Sequence, residues 1–166
     1  MYKIIPVLIT VLYFNITVNA QTADSVLKKS PVRTLTDAQY AALLNGDDIY
    51  NDVGLVARIN HYPMPDKALK YKKEADLSPA QQTKITAIAK ELRRKRIEMG
   101  NFIIINEKKL DDMMRAGGNE GIIFYGNRSG LYYGELRNAI LLACYNTWKL
   151  LSLQQVKKLE TLPDHN

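Results

Sequence analysis

An all-α fold, an elongated helical hairpin with short flanking helices, is what this sequence predicts, and three observations predict it. The first lies at the head of the stretch 77–117, where Ser78 is a side-chain N-cap, Pro79 occupies the first helical position and Gln81 sits at N3 to close a capping box. The second is the apolar stripe downstream of it: Ile85, Leu92, Met99, Phe102, Ile103, Leu110 and Met114 recur at spacings of three, four and seven. The third is a similar stripe on a return helix, Leu136, Ile140, Leu141, Cys144, Trp148 and Leu151. A helix over 79–116 would be about 55 Å long, which makes the expected molecule elongated.

Taken in order, residues 1–20 read as a signal peptide, with Lys3, an apolar run from Ile4 to Phe14 and a Val18-Asn19-Ala20 cleavage site. That run is well short of the roughly 20 residues needed to span a bilayer, and no later stretch qualifies. Position 21 is Gln rather than Cys, so the expected mature chain is exported to the periplasm as a soluble protein without a lipid anchor. Residues 21–166 have the length of one domain. With Cys144 the only cysteine, no internal disulfide can form.

Residues 21–34 are polar and lack periodicity, as a mobile leader would be. Residues 35–76 form an N-terminal extension of short helices. Thr36 and Gln39 make a capping box with Leu35 and Tyr40 as a hydrophobic staple, and Asn45-Gly46 ends that helix. A second short helix within 47–60 would place Ile49, Val53, Val56 and Ile59 on one side, although Gly54 interrupts it. His61-Tyr62-Pro63-Met64-Pro65 is a break, and 66–75 reads as a lead-in helix. The long helix carries Gly100 and the β-branched run Ile103-Ile104-Ile105, for which a bend is expected and a strand over 102–105 is the alternative. Gly117-Gly118 closes it. Five glycines over 117–130 surround Ile122-Ile123-Phe124-Tyr125, which suggests a loop with an apolar tip; no Gly-Lys-Ser/Thr ending supports a phosphate loop. The return helix is expected over 131–150. A third capping box, Ser152 with Gln155, opens a last helix that stops before Pro163, leaving 163–166 as a tail.

The whole chain carries a net charge of +6, and residues 67–96 concentrate ten basic side chains against Glu74, Asp76 and Glu91. The run Arg93-Arg94-Lys95-Arg96 is either the solvated face of a helix or a cationic patch beside apolar Met99, Phe102 and Ile103. His61 and His165 make no i, i+4 pair, and the soft donors Met64, Met99, Met113 and Met114 follow helical spacing more than ligand spacing. Cys144 falls on the apolar stripe, as an inert buried thiol would. No nucleophile, base and orienting group gather, and Asp111-Asp112 read as solvated carboxylates, so neither an enzyme nor a cofactor is expected. Nucleic acid is disfavoured by export and by the absence of a binding module.

Leu-[Ser/Thr]-x-x-Gln occurs three times, at 35–39, 77–81 and 151–155. With the signal peptide and the order of helices, the second and third copies resemble the Spy/CpxP family of periplasmic stress proteins, known for an LTxxQ motif, over 77–162. The resemblance implies a cradle-like homodimer that binds unfolded or partly folded envelope proteins without ATP. It also implies relatives that regulate envelope stress signalling, through a sensor kinase domain, or sense metals. Only Leu77, Ser78, Gln81, Leu151, Ser152 and Gln155 carry over, as helix-initiating residues, with Ser where the motif name has Thr. The client-binding residues expected on this reading are Arg93, Arg94, Lys95, Arg96, Met99, Phe102 and Ile103. A hairpin of two helices lacks a third layer, which independently favours a twofold dimer.

Overall fold

The computed structural model describes residues 28–47 and 53–163. They form six helices, α1 (Asp37–Asn45), α2 (Leu55–Ile59), α3 (Pro65–Lys70), α4 (Pro79–Arg115), α5 (Ile122–Trp148) and α6 (Leu153–Glu160), with no strand among them. The signal peptide, most of the leader, Ile49 and His165 lie outside the described residues.

All three capping boxes close: Thr36, Ser78 and Ser152 each accept the N3 amide of Gln39, Gln81 or Gln155, whose side chain returns to the cap. The antiparallel pair α4–α5 is the spine of the molecule. Helix α4 runs unbroken through Gly100 and 102–105, so the strand alternative fails. Its end is a Schellman turn: Gly117 adopts φ +74°, its N–H donates to the Met114 carbonyl, and that of Gly118 to the Met113 carbonyl.

Three expectations about single helices and their connections are corrected. The loop expected over 117–130 is a turn of six residues, after which α5 is already helical from Ile122. Gly126 and Gly130 therefore lie inside a helix, a cost of up to about 1 kcal/mol each. Cross-helix bonds offset part of it: buried Asn106 donates through Nδ2 to the Tyr125 carbonyl at 2.9 Å and to Ser129 Oγ at 2.7 Å, and Ser129 Oγ donates to Glu107 at 2.9 Å. Second, α2 buries Ala57 and turns Val56 and Ile59 to solvent, opposite to the face expected, because the helix starts only after Gly54. Third, the lead-in helix ends at Lys70, and 71–76 continue as turns to Asp76 in the left-handed region.

The N-terminal segment supplies a third layer over much of the spine, where a bare hairpin was expected. Val32, Leu35, Leu43 and Ala57 share one apolar core with Leu92, Met99, Ile103, Leu136, Ile140 and Cys144. Residues 28–34, expected as leader, are tied down: Val32 is fully buried, and Arg33 grips Asp111 through Nη2 at 2.6 Å and Nε at 3.1 Å. The end of α1 lies against α4 so closely that a Cβ on Gly100 would come within 2.3 Å of the Leu43 carbonyl oxygen. Gly100 is thus a crossing point and leaves the helix intact.

A second, smaller core closes the other end, formed by Ala68, Ala75, Leu77, Ile85 and Leu159. There the second and third motifs meet. Gln81 Nε2 donates to Gln155 Oε1 at 2.9 Å and Gln155 Nε2 returns the bond to Gln81 Oε1 at 3.1 Å. Gln81 also reaches the Leu150 carbonyl and Gln155 the Asp76 carbonyl. Each glutamine both completes its own cap and reaches the other's helix start.

Candidate functional site

The basic run does not form one patch. On a helix, residues three apart share a face and neighbours in sequence do not, so Arg93 and Arg96 turn toward α1–α3 while Arg94 and Lys95 face outward. Arg94 is bracketed by Glu91 at 2.7 Å and Glu98 at 3.0 Å, and Lys95 also meets Glu98 at 3.2 Å. The Arg94 guanidinium holds the Glu91 carboxyl below the usual carboxylate range, chiefly by hydrogen bonding. The outward half of the run is therefore largely neutralised along its own helix.

Burial redistributes the apolar candidates as well. Met99 and Ile103 are sunk in the α4–α5 core, Ile103 at 1% exposure, and Arg96 is only 9% exposed. In this conformation they contribute packing rather than a contact surface. Of the expected apolar trio, Phe102 alone reaches solvent.

What Phe102 joins was not visible in the sequence. Its ring stacks on Tyr132 at 5.2 Å. Arg128 lies one turn before Tyr132 on α5, donates to its hydroxyl, and places its guanidinium 5.5 Å from that ring and 5.1 Å from the ring of Phe124. Phe124, Arg128 and Tyr132 follow an i, i+4, i+8 spacing, so the helix lays them on one face. The result is a row of aromatic and cationic side chains across the half of the hairpin nearest the turn. Such contacts draw on the ring quadrupole and are worth about 0.5–1 kcal/mol each when exposed.

Around that row the same half of the hairpin exposes Ile105, Met114, Ile122, Ile123, Phe124 and Leu131, with Ile123 at 78% and Leu131 at 57%. Around the positions a Cβ would take on Gly126, Gly130 and Gly134, no side chain and no backbone beyond the helix's own adjacent turns lies within 4 Å, so the α5 backbone is open to close approach. A helix this apolar on its solvent side, on a scaffold stitched by Asn106 and Arg33, can offer contact area to another chain without rearranging. Comparison of the chain with protein-family models, curated proteins and solved structures finds no match. The functional reading accordingly rests on the side chains themselves.

The methionines are dispersed. Met64 Sδ lies 3.1 Å from Cys144 Sγ, Met99 is in the core, Met113 Sδ accepts the Gly121 amide at 3.2 Å, and Met114 is exposed. Among the described residues no three of His, Cys, Asp and Glu come together as a metal site. His61 instead pairs with Glu160 at 3.1 Å. No helix of the described residues is long and apolar enough to cross a membrane. The six motif residues sit at the clasped end: Leu77 is buried, Leu151 half-buried, and Ser78, Gln81, Ser152 and Gln155 are engaged in caps and clasp.

Proposed function

We propose that this protein is a periplasmic, ATP-independent holdase that captures unfolding envelope proteins on the half of the α4–α5 hairpin nearest its turn. The observation that supports the reading is the exposure there of Phe102, Ile105, Ile122, Ile123, Phe124 and Leu131 beside Arg128. Isolated exposed apolar residues need no explanation, and Ile59, Leu142, Tyr145 and Leu153 are exposed away from the turn as well; the turn half is set apart by the consecutive exposed run Ile122-Ile123-Phe124 beside Phe102 and Arg128, which supports an interaction surface there. An unfolding client supplies apolar side chains and acidic groups, which fit the aliphatic residues and the arginine respectively. Many contacts of about 25 cal/mol per Å² give capture without a nucleotide cycle, and release follows when the client buries its own apolar surface.

The test is light scattering of a denatured client diluted into buffer with the mature protein. The wild-type chain is expected to suppress aggregation, and Ile123→Ser combined with Phe124→Ser to lose most of that suppression at an unchanged thermal midpoint. Neutralising Arg94 and Lys95 is expected to matter little, since Glu91 and Glu98 already neutralise them. No suppression by the wild-type chain at several-fold molar excess overturns the proposal. Tight, stoichiometric binding of one folded partner, such as a sensor kinase domain, together with indifference to denatured clients would instead establish a regulatory subunit.

A further inference from the structure

Helix α5 carries a second stripe besides the one it buries. Positions 124, 128, 131, 135, 138, 142, 145 and 149, the last at the C-cap, alternate spacings of four and three, the a/d rhythm of a coiled coil, and every one of them is exposed. At 3.6 residues per turn this stripe lies opposite buried Ile140 and Thr147, so it is the outermost face of the helix. Its apolar members are Phe124, Leu131, Leu142 and Tyr145. The two ends of the stripe match. Near the turn the Arg128 guanidinium sits 5.1 Å from the Phe124 ring, and at the other end Lys149 Nζ sits 5.4 Å from the Tyr145 ring. Each end is an aromatic residue followed four positions later by a cation. The outward face of α4 differs, since Glu91, Arg94, Lys95 and Glu98 neutralise one another along it.

We propose that this stripe is a twofold interface on which α5 packs antiparallel against α5 of a second copy of this chain. What selects a second copy is that the stripe complements its own reverse. In an antiparallel pair each a position faces a d position, and a twofold axis passing between residues 136 and 137 sets each member against its counterpart from the other end. Leu131 then meets the partner's Leu142, Phe124 the partner's Lys149, Arg128 the partner's Tyr145, and Glu135 the partner's Asn138, each pair occurring twice. Rings and cations alternate in the two outer clusters, leucines flank the middle, and the Asn138 amide donates to a carboxylate at the centre. Sliding by one heptad would set Leu131 against Glu135 or Lys149. A parallel pair in register would stack Arg128, Glu135 and Lys149 each on its own copy, like charge on like. The polar centre costs affinity and selects this register, and it suits lipid acyl chains poorly. The interface does not depend on the capture reading. Phe124 and Leu131 are common to both surfaces, so a second copy and a client compete for them, whereas Phe102, Ile105, Ile122 and Ile123 lie outside the seam.

Sedimentation velocity and disulfide trapping on the mature chain test this, both without a client. A reversible dimer is expected. Leu142→Ser, remote from the turn, is expected to raise its dissociation constant at least about tenfold, because the twofold axis repeats the loss. Orientation is read from Leu131→Cys and Leu142→Cys chains, oxidised separately and as a mixture. A covalent dimer is expected from the mixture and from neither chain alone, with buried Cys144 taking no part. Leu131 and Leu142 lie outside the two cores of the single chain, so these substitutions leave its packing intact. A monomer at every concentration, a dimer that Leu142→Ser leaves unchanged, or trapping of either single variant as readily as of the mixture overturns the proposal. Binding of a monomeric chain to lipid vesicles would overturn it too, and would assign the stripe to a membrane surface.

Discussion

Gly100 shows how a single hydrogen in place of a methyl group sets the position of a helix. Read locally, alanine there should favour α4 by up to about 1 kcal/mol. Read in the fold, the added carbon would meet the Leu43 carbonyl at 2.3 Å, and neither backbone can retreat without opening the shared core. Gly100→Ala is therefore expected to destabilise by about 1–3 kcal/mol despite the better propensity, seen as a lower urea midpoint. The two glutamines of the clasp make the complementary point. A capping box is legible from Ser-x-x-Gln because both partners lie within one turn. The bond between Gln81 and Gln155 joins residues 74 apart, and no local pattern announces it. Gln81→Ala and Gln155→Ala should each cost about 1–3 kcal/mol, and a double-mutant cycle by urea unfolding should show coupling of about 1 kcal/mol. Additive losses would mean that the two caps act independently.

Among the elements, the ones with strong local signals were legible and the ones fixed by tertiary contact were not. Helices α1, α4 and α6 announce themselves through caps, and the stripe Leu136, Ile140 and Cys144 marks the buried face of α5. The first turns of α5 were not legible, because glycines at 121, 126 and 130 read as loop; what holds them helical is Asn106, on another helix. The segment before α1 was likewise hidden, since Arg33 finds Asp111 only once α4 exists. That strap carries a pH dependence. Asp111 is held below the usual carboxylate range, first by its hydrogen bond from Arg33 and then by the arginine's charge, and Asp112 likewise by Lys108 and Arg115. A depressed folded-state pKa contributes stability that is fully present above the ordinary carboxylate value of about 4 and is lost as the pH falls through the folded value. The thermal midpoint of the wild-type chain should therefore exceed that of Asp111→Asn at pH 7, and the gap should close at pH values well below 4.

At the scale of the whole molecule, the two ends of the hairpin are unlike. One end is clasped by paired glutamines and a second core, and the turn end is held by Asn106; both expose apolar side chains, Ile122, Ile123 and Phe124 at the turn and Tyr145 and Leu153 at the clasp. The N-terminal layer covers one side of the spine, so a second copy is needed for less of it than a bare hairpin would require. Sedimentation velocity over a concentration series is expected to show a dimer whose formation weakens in the Ile123→Ser, Phe124→Ser variant; a monomer throughout would leave the apolar surface to clients alone. The same asymmetry fixes an order of events in folding. Near the turn, Asn106 meets Tyr125 and Ser129 across 19 and 23 residues of chain, whereas the clasp and the Arg33 strap close loops of 74 and 78. Short loops lose less entropy on closing, and local contacts favour early formation. The turn is where the hairpin zips first. Asn106→Ala should accordingly slow refolding in stopped-flow measurements, while Gln155→Ala should mainly speed unfolding. The surface proposed to hold other chains in transit is then the part of this chain that finishes folding before the rest has closed.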